Sequence, residues 1–261
     1  MKKGAETPGA ADPTPPARVL VTGATSGIGL AICQRLLRDG HAVVGIGRDF
    51  EKTGDAFGED APRFEAVQLD LADLDALPGR LRELARRESD LNAVVLCAGR
   101  GEFGHLEEFS YEQIRALIDL DLTSQIFVAR AFLPALKRRG SGRLIFMGSE
   151  AALRGRRQGA LYCAAKFALR GLAQALREEC AKSGVGVTIL QPGMVETPFF
   201  DGLHFAPGDE PEHALRAEEI ADAVAFVLAQ RPGMVLDELV LSPLKHVVQS
   251  KPARSKADRR S

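Results

Sequence analysis

The sequence predicts an α/β fold: a parallel sheet, doubly wound with helices on both faces, in a single domain. Three observations predict it. Short runs rich in Val, Ile and Leu alternate with longer helical patterns. The runs are almost continuously apolar, as strands covered on both faces require. The first run leads straight into a glycine-rich turn and then a helix, the order of a phosphate-binding strand–turn–helix unit.

In chain order, "RVLVT" (18–22) is the first strand and "GLAICQRLLRDG" the helix after the turn. "HAVVGIG" (41–47) and "RFEAVQL" (63–69) are the next strands, followed by the helical "LADLDALPGRLRELARRE". "NAVVLCA" (92–98) precedes a long helical pattern over 110–139. That pattern opens on Ser110 and Gln113, a capping box that gives Tyr111 a local role. "RLIFMG" (143–148), the helix beginning "LYCAAK", and "GVTILQ" (186–191) complete the alternation. No repeat and no linker interrupts the stretch from Arg18 to about Leu241. The expected organisation is a disordered lead-in over 1–17, a folded domain over 18–245 and a basic flexible tail over 246–261.

Composition narrows the function. With 261 residues, one domain is expected. A formal net charge of −1 favours neither nucleic acid nor acidic partners. No apolar run approaches membrane-span length, and the two early lysines are followed by no apolar stretch, so no secretory signal is read. Cys33, Cys97, Cys163 and Cys180 are far apart. They read as reduced thiols of a cytoplasmic protein, with no metal site expected.

"YCAAK" places Tyr162 four residues before Lys166. On a helix these side chains share a face. An ammonium beside a phenol favours the phenolate, so the expectation is a tyrosine pKa lowered from its usual value of about 10. The turn "TGATSGIG" runs from Thr22 to Gly29. Gly23 suits a tight turn, Gly27 lets backbone approach a pyrophosphate, and Gly29 lets helix and strand pack closely.

TGATSGIG together with YCAAK resembles the short-chain dehydrogenase/reductase family, over about Arg18 to Leu241. The resemblance implies a Rossmann-type fold and carbonyl–alcohol oxidoreduction. It implies a catalytic Ser149, Tyr162 and Lys166, with Ser149 lying 13 residues before Tyr162. It places a nicotinamide cofactor on Gly23, Thr25, Ser26, Gly27, Ile28, Gly29, Asp70, Leu71, Ala98, Gly99, Tyr162, Lys166, Pro192, Gly193, Val195 and Thr197. It also implies pairing of the 110–139 and YCAAK helices between subunits, and so a homo-oligomer, a homotetramer by expectation. Chemically, Ser149 can orient a carbonyl oxygen, Tyr162 can give or take the proton, and Lys166 can tune the phenol; the resemblance implies that Lys166 also holds the nicotinamide ribose hydroxyls.

Two departures from the family pattern stand out. Asp121 occupies the position of an asparagine that in relatives helps hold a proton-relay water. An ionised aspartate accepts hydrogen bonds but donates none, and its charge can pair with Lys166. Also, "NNAG" has become "LCAG", with Cys97 read as a core residue.

For the cofactor, "GIGRD" offers Gly47 where a carboxylate selective for NAD would stand, then Arg48, suited to a 2′-phosphate. NADP(H) is expected. For the substrate, Phe199, Phe200, Leu203 and Phe205 are expected to give a lid an apolar inner face. Arg154, Arg156 and Arg157 could meet an anionic substrate. The ending "VLDELVLSPLK" hints at the branch that oxidises small 3-hydroxy acids. A serine hydrolase is disfavoured because "FMGSEA" is not G-x-S-x-G. The alternative is a catalytically weak, NADPH-sensing module of the same fold.

Overall fold

Strand order turns around one point. The computed structural model describes residues 16–251, apart from residue 54. The expected lead-in is outside this range up to residue 15, and the expected tail from residue 252. The main sheet is built from β1 (Arg18–Thr22), β2 (Ala42–Gly47), β3 (Phe64–Gln68), β4 (Ala93–Leu96), β5 (Gly142–Met147), β6 (Val185–Pro192) and β10 (Glu238–Leu241). Their order is β10-β6-β5-β4-β1-β2-β3, and every pairing is parallel. From β1 the chain winds outward through β2 and β3. From β4 it winds the other way. The carboxyl ends of β1 and β4 therefore flank the crevice where such sheets bind ligands.

Alternating strand residues feed two cores. Leu20, Val94, Leu144, Phe146 and Val187 face one side, with Leu77, Phe132 and Leu169. These last come from α2 (Leu77–Arg87), α4 (Ser124–Arg139) and α5 (Ala160–Ala181). Val19, Val21, Val95 and Ile145 face the other side, with Ile32, Leu36, Ile220 and Val224. These helical residues come from α1 (Gly27–Arg38) and α6 (Ala217–Leu228). The period-two alternation on buried parallel strands fixes which helix covers which face.

The six expected strands are present with ends shifted by a residue or two. Neither α6 nor β10 was among the expected elements. The long helical pattern is divided: α3 (Tyr111–Ile118) and α4 are joined by a π-helical segment, Asp119–Thr123. The capping box at Ser110 and Gln113 forms as expected, and Tyr111 is exposed. Two small ladders lie outside the main sheet. β7 (Val195–Glu196) pairs with β9 (Leu215–Arg216). β8 (Phe205–Pro207) pairs antiparallel with β11 (Val248–Ser250). Within the stretch expected as a flexible tail, residues 248–250 find backbone partners in the segment expected to form a lid. Among the described residues, no helix is long and apolar enough to cross a membrane.

Candidate active site

The turn after β1 is shaped by sterics. Gly23 has φ +73° and Gly27 φ +51°, a region costly for residues with a Cβ. A Cβ on Gly23 would lie 3.0 Å from Ala98 Cα, so glycine lets the two strand-end turns touch. A Cβ on Gly29 would overlap the Gly23 carbonyl oxygen. The turn after β4 is pinned from β1: Cys97 N and Ala98 N both donate to Thr22 Oγ1, at 3.0 Å each. Gln125 Nε2 donates to Ala98 O at 2.8 Å.

A cavity of about 750 Å³ runs along this crevice. Gly23, Thr25, Ser26, Gly27, Ile28 and Gly29 line it, as do Arg48, Asp70, Leu71, Ala98, Gly99 and Thr197. A second cavity, of about 560 Å³, is lined by Ser149, Tyr162, Lys166, Pro192, Gly193, Val195 and Thr197. Ile28, Cys97, Gly99, Thr197 and Phe199 border both. The two spaces meet, and together they bring the sequence-predicted residues to one continuous site. Asp121 sits behind it, fully buried.

The crevice suits a dinucleotide. Its floor is glycine backbone leading to the N-terminus of α1, which favours phosphate. At the end of β2, a Cβ on Gly47 would overlap the Thr25 methyl, so no acidic side chain fits there without a shift. Arg48 follows, exposed and on the cavity wall.

The two charged groups packed beside Tyr162, Lys166 and Asp121, are both out of water. Lys166 Nζ lies 5.5 Å from the Tyr162 ring centre. It reaches Asp121 Oδ2 and the Met147 carbonyl, both at 3.4 Å. These are long contacts for an ammonium with three donors. Asp121 Oδ1 accepts from Arg100 N at 2.9 Å, while Oδ2 has no closer partner. Burial pushes the Asp121 carboxyl above its usual range, against the pull of Lys166. Burial alone would lower Lys166, but the phenol and the Asp121 carboxylate together raise it.

The expected lowering of the Tyr162 pKa is not found. Burial of the phenol raises it, and Lys166 offsets only part of this; Asp121 pushes it further up, while the Ser149 hydroxyl favours the ionised form. Helix spacing placed the ammonium correctly, but spacing carries no information about desolvation.

Ser149 is positioned by polar residues that the sequence reading missed. Its N–H donates to Gln191 Oε1 at 2.7 Å. Gln191 Nε2 donates to Glu238 Oε1 at 2.9 Å, and Glu238 pairs with Arg170 at 2.8 Å. A polar Gln191 at the end of the mostly apolar β6 was the available signal, as was Thr22 at the end of β1.

Aromatic rings form the rest of the wall. Phe103 and Phe199 stand 5.0 and 6.0 Å from the Tyr162 ring, and Phe205 stands 5.0 Å from Phe103. Phe103 was not anticipated. Of the expected lid residues, Phe199, Phe200 and Phe205 line the Tyr162 cavity, whereas Leu203 lines the crevice. Arg156 and Arg157 reach the cavity lining, and Arg154 does not. Cys97, expected in the core, is only partly buried and borders both spaces. Burial pushes its thiol pKa up to about 12.

A model of the short chain dehydrogenase family matches residues 17–204. The chain belongs to the short-chain dehydrogenase family. Among its relatives is an uncharacterized oxidoreductase of Staphylococcus epidermidis, 30% identical over 225 residues, covering 86% of this chain and 96% of the relative. Estradiol 17-beta-dehydrogenase 1 of Rattus norvegicus is 34% identical over 205 residues, 75% of this chain and 59% of the relative. An alcohol dehydrogenase from Thermococcus sibiricus, solved with 5-hydroxy-NADP, superposes with a TM-score of 0.77 at 30% identity, over 86% of this chain and 95% of that one. Membership makes this short-chain dehydrogenase an oxidoreductase in the broad sense.

Proposed function

We propose that the protein interconverts a secondary alcohol and a carbonyl with NADP(H), using Tyr162 as the proton donor and acceptor. The observation that carries this reading is the convergence of Ser149, Tyr162 and Lys166 on a cavity continuous with the glycine-floored crevice. When bound, the nicotinamide supplies or accepts the hydride. Reduction builds negative charge on the substrate oxygen. Tyr162 hydrogen-bonds that oxygen and gives it a proton, and Ser149 holds it in line. Lys166 supplies the positive charge beside the phenol and donors for ribose hydroxyls. Asp121 balances that charge from behind.

Gly23, Thr25, Ser26, Gly27, Ile28 and Gly29 would hold the pyrophosphate end. Asp70, Leu71, Ala98 and Gly99 would hold the adenosine side, with Arg48 on a 2′-phosphate. Pro192, Gly193, Val195 and Thr197 would hold the nicotinamide end. NADP(H) is favoured over NAD(H) by the blocked Gly47 position and the adjacent Arg48. The NADP-type ligand in the Thermococcus structure agrees with this.

The substrate is an apolar carbonyl compound larger than a few carbons, because Phe103, Phe199, Phe200 and Phe205 line a cavity of about 560 Å³. A small 3-hydroxy acid uses little of that wall. The second reading, an NADPH-sensing module with little turnover, is favoured by the Asp121–Lys166 contact and by the upward shift of Tyr162.

The test follows NADPH absorbance with a panel of ketones and aldehydes, for wild type and Tyr162→Phe. The phenylalanine variant should bind NADPH as wild type does and lose about 10²–10⁴-fold in turnover. Wild-type turnover in Tyr162→Phe would overturn the catalytic assignment. Tight NADPH binding without turnover of any panel member would support the sensing module.

A further inference from the structure

The cavity above Tyr162 has an inner wall from the main sheet and α5 and an outer wall from elsewhere. Beyond β10 the chain folds back over the lid. The Ser242 hydroxyl donates to the Glu150 carboxylate, and His246 Nδ1 lies 3.7 Å from it. Lys245 N donates to Glu212 O at 2.9 Å, and the Lys245 ammonium pairs with the Glu212 carboxylate. Gly208 N donates to Val247 O at 3.1 Å, and β11 then pairs with β8. Lys251 closes the segment, with its N–H on His204 O at 2.8 Å and its ammonium on Phe200 O at 2.5 Å. The last described residues are thus fastened at both ends to the loops that carry Phe200 and Phe205.

His246, Val248 and Ser250 line the cavity. Their place along it follows from the register. From Tyr162 the rings step outward to Phe103 and Phe205. Phe205 is opposite Ser250, and Val248 is opposite Pro207, two residues further along the ladder. Val248 is 62% exposed although it belongs to the cavity wall. An apolar side chain at the end of an apolar wall, left uncovered by the protein, is suited to cover by a ligand.

We propose that Val248, on the segment that walls this cavity, selects an apolar group at the end of the substrate remote from the carbonyl. The proposal rests on the reading of the site as a carbonyl-binding cavity. It adds a selecting residue on a part of the chain that contributes nothing to the Tyr162 cluster or the glycine turn.

The test uses full-length Val248→Glu and Val248→Ala. Val248 is largely exposed, and substitution at such sites seldom unfolds a protein; NADPH affinity, measured by titration, checks that the fold is kept. In the first arm, KM is measured with NADPH for methyl ketones of short and long alkyl chain. The long-to-short KM ratio should rise about tenfold in Val248→Glu, and less in Val248→Ala. In the second arm, the apolar dye 1-anilinonaphthalene-8-sulfonate is titrated into each protein without turnover, counting only the signal that a long-chain ketone displaces. Its Kd should rise about tenfold in Val248→Glu. Wild-type dye affinity in Val248→Glu overturns the proposal, whatever turnover shows. Absence of ketone turnover by wild type overturns the catalytic reading instead, and the dye arm then judges the wall alone.

Discussion

Lys166 and Asp121 form a buried pair, with Nζ 3.4 Å from Oδ2 and both side chains nearly inaccessible to water. The contact tempers the electrostatics of the phenol beside it. Burial raises the Tyr162 pKa most, Lys166 opposes this, and the Asp121 carboxylate cancels part of the lysine's positive field.

Asp121→Asn should therefore move the pH dependence of alcohol oxidation. In the proposed mechanism oxidation needs the phenolate, so its rate should rise with pH through the Tyr162 titration. Removing the Asp121 charge removes one of the causes that raise the Tyr162 pKa. The rising limb of kcat/KM should shift to lower pH in the asparagine variant, with a modest change in the plateau. A limb that stays in place or moves upward would remove Asp121 from the electrostatic account.

Arg48→Ala should separate the two cofactors. A charge-assisted hydrogen bond to phosphate contributes about 1.5–3 kcal/mol, or roughly ten- to a hundredfold in affinity. NADPH binding should weaken by that factor and NADH binding should change little. Equal affinities for both cofactors in wild type would sink the assignment of Arg48.

His41 makes stability depend on pH. It is buried, and its Nδ1 accepts from Ala17 N at 3.0 Å, which requires the neutral ring. Burial lowers its pKa below the ordinary 6.5, with Asp39 opposing and Arg63 assisting. For a histidine with a depressed folded pKa, the unfolded chain binds more protons in the window just below 6.5. The stabilisation is therefore complete above about pH 6.5 and is lost as pH falls towards the folded value. Thermal unfolding followed from pH 8 to 5 should show a fall in Tm that is smaller in His41→Ala. The variant should also lose about 0.5–1.5 kcal/mol at pH 8 with the hydrogen bond.

The helices α4 and α5 predict self-association. Ile126 on α4 and Phe167 on α5 are exposed, at 37% and 42%. Large apolar groups on two helices that already bury other faces favour a second copy of the chain. Sedimentation at micromolar concentration should find a homo-oligomer, a tetramer by expectation. Phe167→Glu should shift the distribution towards the monomer, and a wild-type monomer would refute the idea.

Much of this site was legible because it lies on regular elements. Helix periodicity put Tyr162 and Lys166 on one face, and strand ends located Gly23, Ala98 and Ser149. Features that depend on pairing at a distance were not legible. Gln191 stands out as a polar residue at a strand end, but nothing announces that it will hold the Ser149 backbone and that Glu238 will hold it in turn. Phe103 lies in a loop whose neighbours give no period. The sign of the Tyr162 shift turned on how deeply the phenol is buried, a property of the packed core. The stripe of Ile220, Val224 and Val227 in α6 has an ordinary helical spacing. It follows the lid segment, though, where turn residues obscure where regular structure resumes.

The ladder between Phe205–Pro207 and Val248–Ser250 divides this chain into parts with different freedom to change in evolution. Ser149 follows a central strand of the main sheet, and Tyr162 and Lys166 sit on the buried face of α5, where a substitution disturbs the packed core. Phe205, Val248 and Ser250, which line the Tyr162 cavity, belong to a two-stranded ribbon outside the main sheet. Mutations there can accumulate without loss of the core. A lineage built on this arrangement can acquire new ligands by drift in this ribbon while the Tyr162 cluster stays still, and a designer can graft a different ribbon onto the same core.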